Sequence, residues 1–167
     1  LEFNRFWDNI NKILLNCPKI VITFMVTYNA LSVSNYDKLI QEIYKLKETY
    51  ASPYRYWNSA TFLDSSYLRW PLHQTVQILP YQFSEKIMNQ AKLATFYSTP
   101  SFNSTQIGYS DVEVQKIKRI NDWMLAPQDS MQQLKNRHNF YKYFSEHDRR
   151  RGTNFVKTFP ELEEFYN

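Results

Sequence analysis

The stretch Lys19-Ile20-Val21-Ile22-Thr23-Phe24-Met25-Val26-Thr27, which follows Pro18, is an almost unbroken apolar run rich in β-branched residues. β-Branched side chains fit a pleated surface, and an apolar run of this kind marks a strand buried on both faces, as in a parallel sheet. Upstream of it, Phe3, Phe6, Trp7, Ile10, Ile13 and Leu14 recur at helical spacing and predict an amphipathic helix over 3–16, which Pro18 ends. No capping residue precedes Phe3, so this helix reads as the continuation of a longer chain. Downstream, Ser34 and Asp37 resemble a capping box. Tyr36, Leu39, Ile40, Ile43 and Leu46 then predict a helix over 35–50, broken by Ser52-Pro53. Ala60-Thr61-Phe62-Leu63-Asp64 is the best second strand. Leu72 to Leu79 is a further extended candidate, although Pro71 and Pro80 on either side make it a poor central strand. The order is α-β-α-β, and a crossover of this length implies parallel, right-handed pairing of the two strands.

The remainder reads as helical. Ser84 can cap a helix carrying Ile87, Met88, Ala91 and Ala94, and a polar loop runs from Pro100 to Gly108. Ser110 and Glu113 form a capping box for a helix bearing Val112, Val114, Ile117, Ile120 and Trp123. Asp129 and Gln132 open another through Leu134, Phe140, Tyr141 and Phe144, and Thr158 and Glu161 start a last short one ending in Phe165. The chain thus divides into an α/β part over 1–82 and a helical extension over 83–167. Two parallel strands do not make a sheet of their own, because parallel sheets need several strands with both faces covered. The expectation is the carboxyl-terminal part of a larger α/β protein. The alternative is a complete small α+β domain whose sheet a partner finishes.

Composition narrows the chemistry. Of 167 residues, 43% are apolar and 22% charged, as in a folded globular chain. No run approaches the ~20 apolar residues that span a bilayer, so no membrane partner is expected. The single cysteine, Cys17, excludes a disulfide framework and any metal site built from several thiolates of this chain. A lone free thiol suits the reducing cytoplasm. The two glycines, Gly108 and Gly152, lie in no phosphate-binding loop, which excludes a P-loop or a dinucleotide fingerprint. With a net charge of +4, spread evenly except at Arg149, Arg150 and Arg151, nucleic acid is not the expected partner. His73, His138 and His147 lack zinc-helix spacing, and no serine sits in a nucleophile elbow.

Several phrases carry a resemblance: Phe6-Trp7-Asp8-Asn9-Ile10, Val26-Thr27-Tyr28-Asn29-Ala30-Leu31-Ser32, Tyr67-Leu68-Arg69-Trp70-Pro71 and Ile78-Leu79-Pro80. The most distinctive is Glu146-His147-Asp148-Arg149-Arg150-Arg151-Gly152-Thr153-Asn154-Phe155, leading into Thr158-Phe159-Pro160-Glu161-Leu162. Across nearly its whole length the chain resembles the carboxyl-terminal half of twitch-type radical S-adenosylmethionine (radical SAM) proteins of phage and environmental origin. The resemblance implies an α/β fold, the last two strands of a partial (β/α) barrel followed by an α-helical extension. It also implies S-adenosylmethionine and a 4Fe–4S cluster as cofactors of the whole protein, which would cleave S-adenosylmethionine reductively and abstract hydrogen from a substrate. The CxxxCxxC loop that holds such a cluster is absent, so the N-terminal half of the same protein would be the partner that supplies it. No cysteine follows Cys17 to bind an auxiliary cluster.

Candidate sites follow from where barrel enzymes place their chemistry, at the carboxyl ends of the strands. Tyr28, Asn29 and Ser32 lie past the first strand, and Asp64, Ser65 and Ser66 past the second. In the resembling family the last strands help enclose the adenosine part of S-adenosylmethionine, which makes Asn29, Ser32, Asp64 and Ser65 the cofactor-binding candidates. The competing reading is that Asn29 satisfies a turn and Ser32 begins a helix. Arg149, Arg150, Arg151 and Asn154 are candidates for an anionic substrate, since guanidinium forks suit carboxylates and phosphates. Against this, cations favour a helix carboxyl end, Gly152 suits the residue that stops it, and Asp148 and Glu146 are at hand as partners. The second function class is a non-catalytic α+β binding module, docking a protein or nucleic acid with its aromatic faces and arginine cluster.

Overall fold

The computed structural model describes residues 2–55, 58–98 and 107–166. Helix α1 (Phe3–Asn16) leads into strand β1 (Ile22–Tyr28), a 3₁₀ turn (Ala30–Ser34) and α2 (Tyr36–Tyr50), and strand β2 (Thr61–Tyr67) follows. Two 3₁₀ turns, Leu72–Gln74 and Val76–Ile78, then lead to α3 (Phe83–Phe96), α4 (Asp111–Leu125), α5 (Ser130–Arg151) and the short α6 (Phe155–Thr158) and α7 (Glu163–Tyr166). The fold is mixed α/β and mostly helical. The strands pair in parallel with Ile22 opposite Thr61 and Tyr28 opposite Tyr67.

Period-2 alternation on the strands sorts the sheet into two unlike faces. Phe24, Tyr28, Leu63 and Ser65 are buried on one. Both preceding helices pack there: the Trp7 ring of α1 lies 5.7 Å from Phe24, Tyr36 of α2 lies 4.8 Å from Tyr28, and Tyr50 of α2 donates to Asn11 of α1 at 2.9 Å. On the other face, Thr23, Met25 and Thr27 of β1 are exposed, and Phe62, Asp64 and Ser66 of β2 lie alongside them in register. Met25 is 82% exposed. The expectation that β1 is buried on both faces is therefore corrected: among the described residues only the helix side is covered.

The two edges of the sheet also differ. On β1, the register turns the backbone N–H and C=O groups of Thr23, Met25 and Thr27 away from β2, and no described residue bonds them. The outer edge of β2 is occupied. Leu63 N–H donates to Glu113 Oε1 at 2.8 Å, and Lys47 Nζ donates to Thr61 O at 2.7 Å and pairs with Glu113 Oε1 at 2.9 Å. The helical extension is joined to the α/β part in one core. Tyr28 donates to Gln90 Oε1 of α3 at 2.7 Å, and Tyr109 donates to the Ile40 carbonyl of α2 at 2.7 Å.

Five local expectations are revised. Asp64, Ser65 and Ser66, expected past the end of the second strand, lie within β2, which continues to Tyr67. Leu72 to Leu79 is two 3₁₀ turns rather than an extended segment, in keeping with its flanking prolines. Ser34 and Asp37 do not cap α2, whose cap position is Asn35 with no side-chain bond. Ser84 lies inside α3 and donates to Asn121 Oδ1 of α4 at 2.8 Å, tying two helices instead of capping one. Thr158 closes α6 by donating to the Asn154 carbonyl at 2.9 Å and does not start a helix. The Ser110–Glu113 box and the Asp129 cap form as expected. Most of the Pro100 to Gly108 loop lies outside the described residues. No helix among the described residues is long and apolar enough to cross a membrane.

Candidate functional site

Helix α4 runs alongside β2 in the same direction. Glu113 meets Leu63, Lys116 meets Asp64, and Trp123 stacks on Tyr67 with ring centroids 5.2 Å apart and planes 19° from parallel. Ten helical residues rise about 15 Å and four strand residues about 13 Å, so the two elements stay in step. The helix takes the place a third strand would have, and its side chains wall off the carboxyl end of β2.

Between them lies a cleft of about 390 Å³ lined by Asp64, Ser65, Ser66 and Tyr67 from the strand, Arg69 beyond it, and Lys116 and Arg119 from α4. Lys116 Nζ donates to Asp64 Oδ1 at 2.6 Å and stands 5.6 Å from the Phe62 ring. Arg69 lies over the Tyr67 ring at 5.2 Å and donates through Nη2 to its hydroxyl at 3.1 Å. Arg119 is exposed and forms no ion pair among the described residues. Three cations thus face one carboxylate, at the end of a parallel pair where α/β folds place their ligands.

The expected cofactor residues divide. Asp64 presents its carboxylate on the open face, within the cleft. Ser65 lines the cleft too, but its hydroxyl is bonded to that of Tyr36 on the helix-covered side, where burial pushes the Tyr36 phenol well above its usual range. Asn29 and Ser32 stand at the carboxyl end of β1 and cap the turn that follows. Asn29 Oδ1 accepts from Leu31 N at 2.9 Å and Ser32 N at 3.2 Å, and Ser32 Oγ accepts from Asn29 N at 3.1 Å. Their hydrogen-bonding capacity is spent largely on backbone.

The arginine run ends α5 and does not line the cleft. Glu146 accepts from Arg149 Nε and Nη2, both at 2.7 Å, and from Arg150 Nε at 2.5 Å. These bonds hold the Glu146 carboxyl down at about 2. Gly152 adopts φ +63° and donates to the Asp148 carbonyl at 2.8 Å, while the Asp148 carboxylate accepts from Thr153 Oγ1 and Phe155 N, both at 2.7 Å. Asn154 caps α6 by accepting from Lys157 N at 2.8 Å. This arrangement is a helix stop in which Arg149, Arg150 and Asn154 already have partners.

Tyr67, Arg69, Lys116 and Arg119 were not legible as site residues. Arg69 lies two residues past the end of β2, in Tyr67-Leu68-Arg69-Trp70-Pro71, and that position is the signal that could have marked it. Lys116 and Arg119 share a helix face by their spacing, but only the packing of α4 along β2 turns that face to the cleft. Cys17 is exposed and ends α1 ahead of β1, at the amino end of the strands, away from this cleft. No group of three or more His, Cys, Asp or Glu among the described residues could hold a metal ion. A 4Fe–4S cluster therefore does not fit these residues. Comparison with protein-family models, with curated proteins and with solved structures returns no match.

Proposed function

We propose that this chain is the carboxyl-terminal wall of a radical SAM enzyme: the last two β/α units of a partial barrel with a helical cover. The observation that carries the reading is the one-sided placement of α1 and α2. A doubly wound sheet has helices on both faces, whereas a barrel wall keeps them outside and turns the other face to the lumen. Here Thr23, Met25, Thr27, Asp64 and Ser66 occupy that other face, and the cleft opens at the carboxyl ends of the strands. The resemblance over nearly the whole chain and the unbonded edge of β1 support the same reading.

The cluster would come with the upstream half, and it would supply the electron for cleavage of S-adenosylmethionine. The residues of this chain bind and orient. Asp64, a carboxylate on the lumen side, is suited to accept hydrogen bonds from a ribose or ammonium group, and Asn29 Nδ2 remains as a donor at the end of β1. The test is the complete gene product, reconstituted anaerobically with iron and sulfide and given S-adenosylmethionine and dithionite. It is expected to release 5′-deoxyadenosine and methionine. Asp64→Ala is expected to weaken S-adenosylmethionine binding by more than about tenfold, the size of one lost hydrogen bond to a charged group. Failure of the reconstituted protein to cleave S-adenosylmethionine would overturn the reading, and unchanged binding in Asp64→Ala would remove that residue from the site.

A further inference from the structure

The geometry points to a second ligand group in the cleft: we propose that Arg69, Lys116 and Arg119 bind a phosphate monoester carried by a small-molecule substrate. This rests on the reading above and names the charged group of the substrate. Charge is the first argument. The three cations face Asp64 alone, which leaves two positive charges in excess, and a phosphate monoester carries about −1.5 to −2 near neutral pH. A carboxylate would offset only one of them. The second argument is placement. Lys116 and Arg119 stand at i and i+3 on α4, where like charges repel unless an anion lies between them, and Arg69 approaches from the end of β2.

Preorganisation is the third. The Asp64 carboxylate at 2.6 Å fixes Lys116, and Arg69 is held on Tyr67, which is itself stacked on Trp123. Two of the three cations are thus set before any ligand arrives, which lowers the entropy lost on binding. Arg119 is the free member, able to close on the anion. The volume of about 390 Å³ is in the range of small-molecule pockets, and charged groups rim a surface that includes the Tyr67 ring and the apolar stems of the cationic side chains.

Inorganic phosphate is the probe, titrated into the 167-residue chain at low ionic strength and followed by calorimetry or phosphorus NMR. Arg119→Ala removes a side chain with no partner among the described residues, so folding is not at risk. It is expected to weaken phosphate binding by about tenfold, and Arg69→Ala by at least as much. Lys12→Ala, an exposed lysine on α1, is expected to leave binding unchanged, and acetate to bind more weakly than phosphate. Equal losses in Arg119→Ala and Lys12→Ala would overturn the proposal, as would acetate binding as tightly as phosphate. The assay needs no cluster and no reductant. Phosphate binding without S-adenosylmethionine cleavage would sink the enzyme reading and leave the anion site standing. Cleavage without phosphate binding would sink only the anion site.

Discussion

Glu113→Ala is expected to destabilise the chain by about 3–5 kcal/mol, the cost of stripping one partner from a buried ion pair. Urea unfolding would show it as a lower midpoint with an unchanged slope. Lys47 and Glu113 are each only 1% exposed. The carboxylate also accepts from Leu63 N on the β2 edge, and from Ser110 N and Ser110 Oγ at the start of α4, each at 2.8 Å. One side chain therefore closes a sheet edge, caps a helix and neutralises a buried ammonium. Glu113→Gln keeps an acceptor but removes the charge, which gives a more specific readout. Burial holds Lys47 below its ordinary value of 10.5, and Glu113 opposes that shift. Without Glu113 the folded value falls further. The unfolded chain then binds more protons between that value and 10.5, so stability of the variant rises with pH through this window. Its deficit against the parent is expected to shrink toward pH 10. A deficit under about 1 kcal/mol in Glu113→Ala would show that the pair does not hold α4 against the sheet.

Arg55→Ala is expected to cost about 3 kcal/mol or more, because hydrogen bonds to a charged group contribute about 1.5–3 kcal/mol each and their buried acceptors are left unpaired. The guanidinium is buried and serves four backbone carbonyls: Tyr50 at 3.0 Å, Cys17 at 3.2 Å, Leu14 at 2.7 Å, and Ile20. It closes the last turn of α1, the connection into β1 and the end of α2 together. Helix ends leave carbonyls without intrahelical partners, and an arginine fork is a way to satisfy several of them inside a core. Arg55→Lys is expected to recover less than half of the loss, since an ammonium cannot span carbonyls from both helices. Full recovery by lysine would show that charge rather than geometry matters at this position.

Local pattern was legible wherever the signal and its partner are close in sequence. The apolar spacing of Phe3 to Leu14 gave α1, and Ser110 and Glu113 announced the start of α4 through a contact three residues long. What could not be read is what the same residues do at a distance. Glu113 as a capping residue is visible in the sequence, whereas its pairing with Lys47 and Leu63 depends on how α4 packs. Arg55 looks like an ordinary loop arginine until the ends of α1 and α2 converge on it. The two faces of β1 are not distinguishable in the sequence, because Ile22, Phe24, Met25 and Val26 read as one continuous run. Thr23 and Thr27, two residues either side of Met25, share its exposed face. At the site, Asp64 reaches the cleft from within β2 rather than from beyond the strand end, while Asn29 and Ser32 make capping bonds and Arg149, Arg150 and Asn154 are bonded within a helix stop.

The proposal that these residues form the end wall of a larger parallel β/α assembly makes one direct demand on β1. Its outward amides, Thr23, Met25 and Thr27, must acquire hydrogen-bond partners in the complete gene product. Hydrogen exchange followed residue by residue measures this. In the 167-residue chain, Phe24 and Val26, which face β2, are expected to exchange slowly, and Thr23, Met25 and Thr27 quickly. In the complete product the account predicts that the latter three slow by about a hundredfold or more, to the level of their neighbours. Unchanged fast exchange at all three would contradict it, because β1 would then be an outer edge in the whole protein as well.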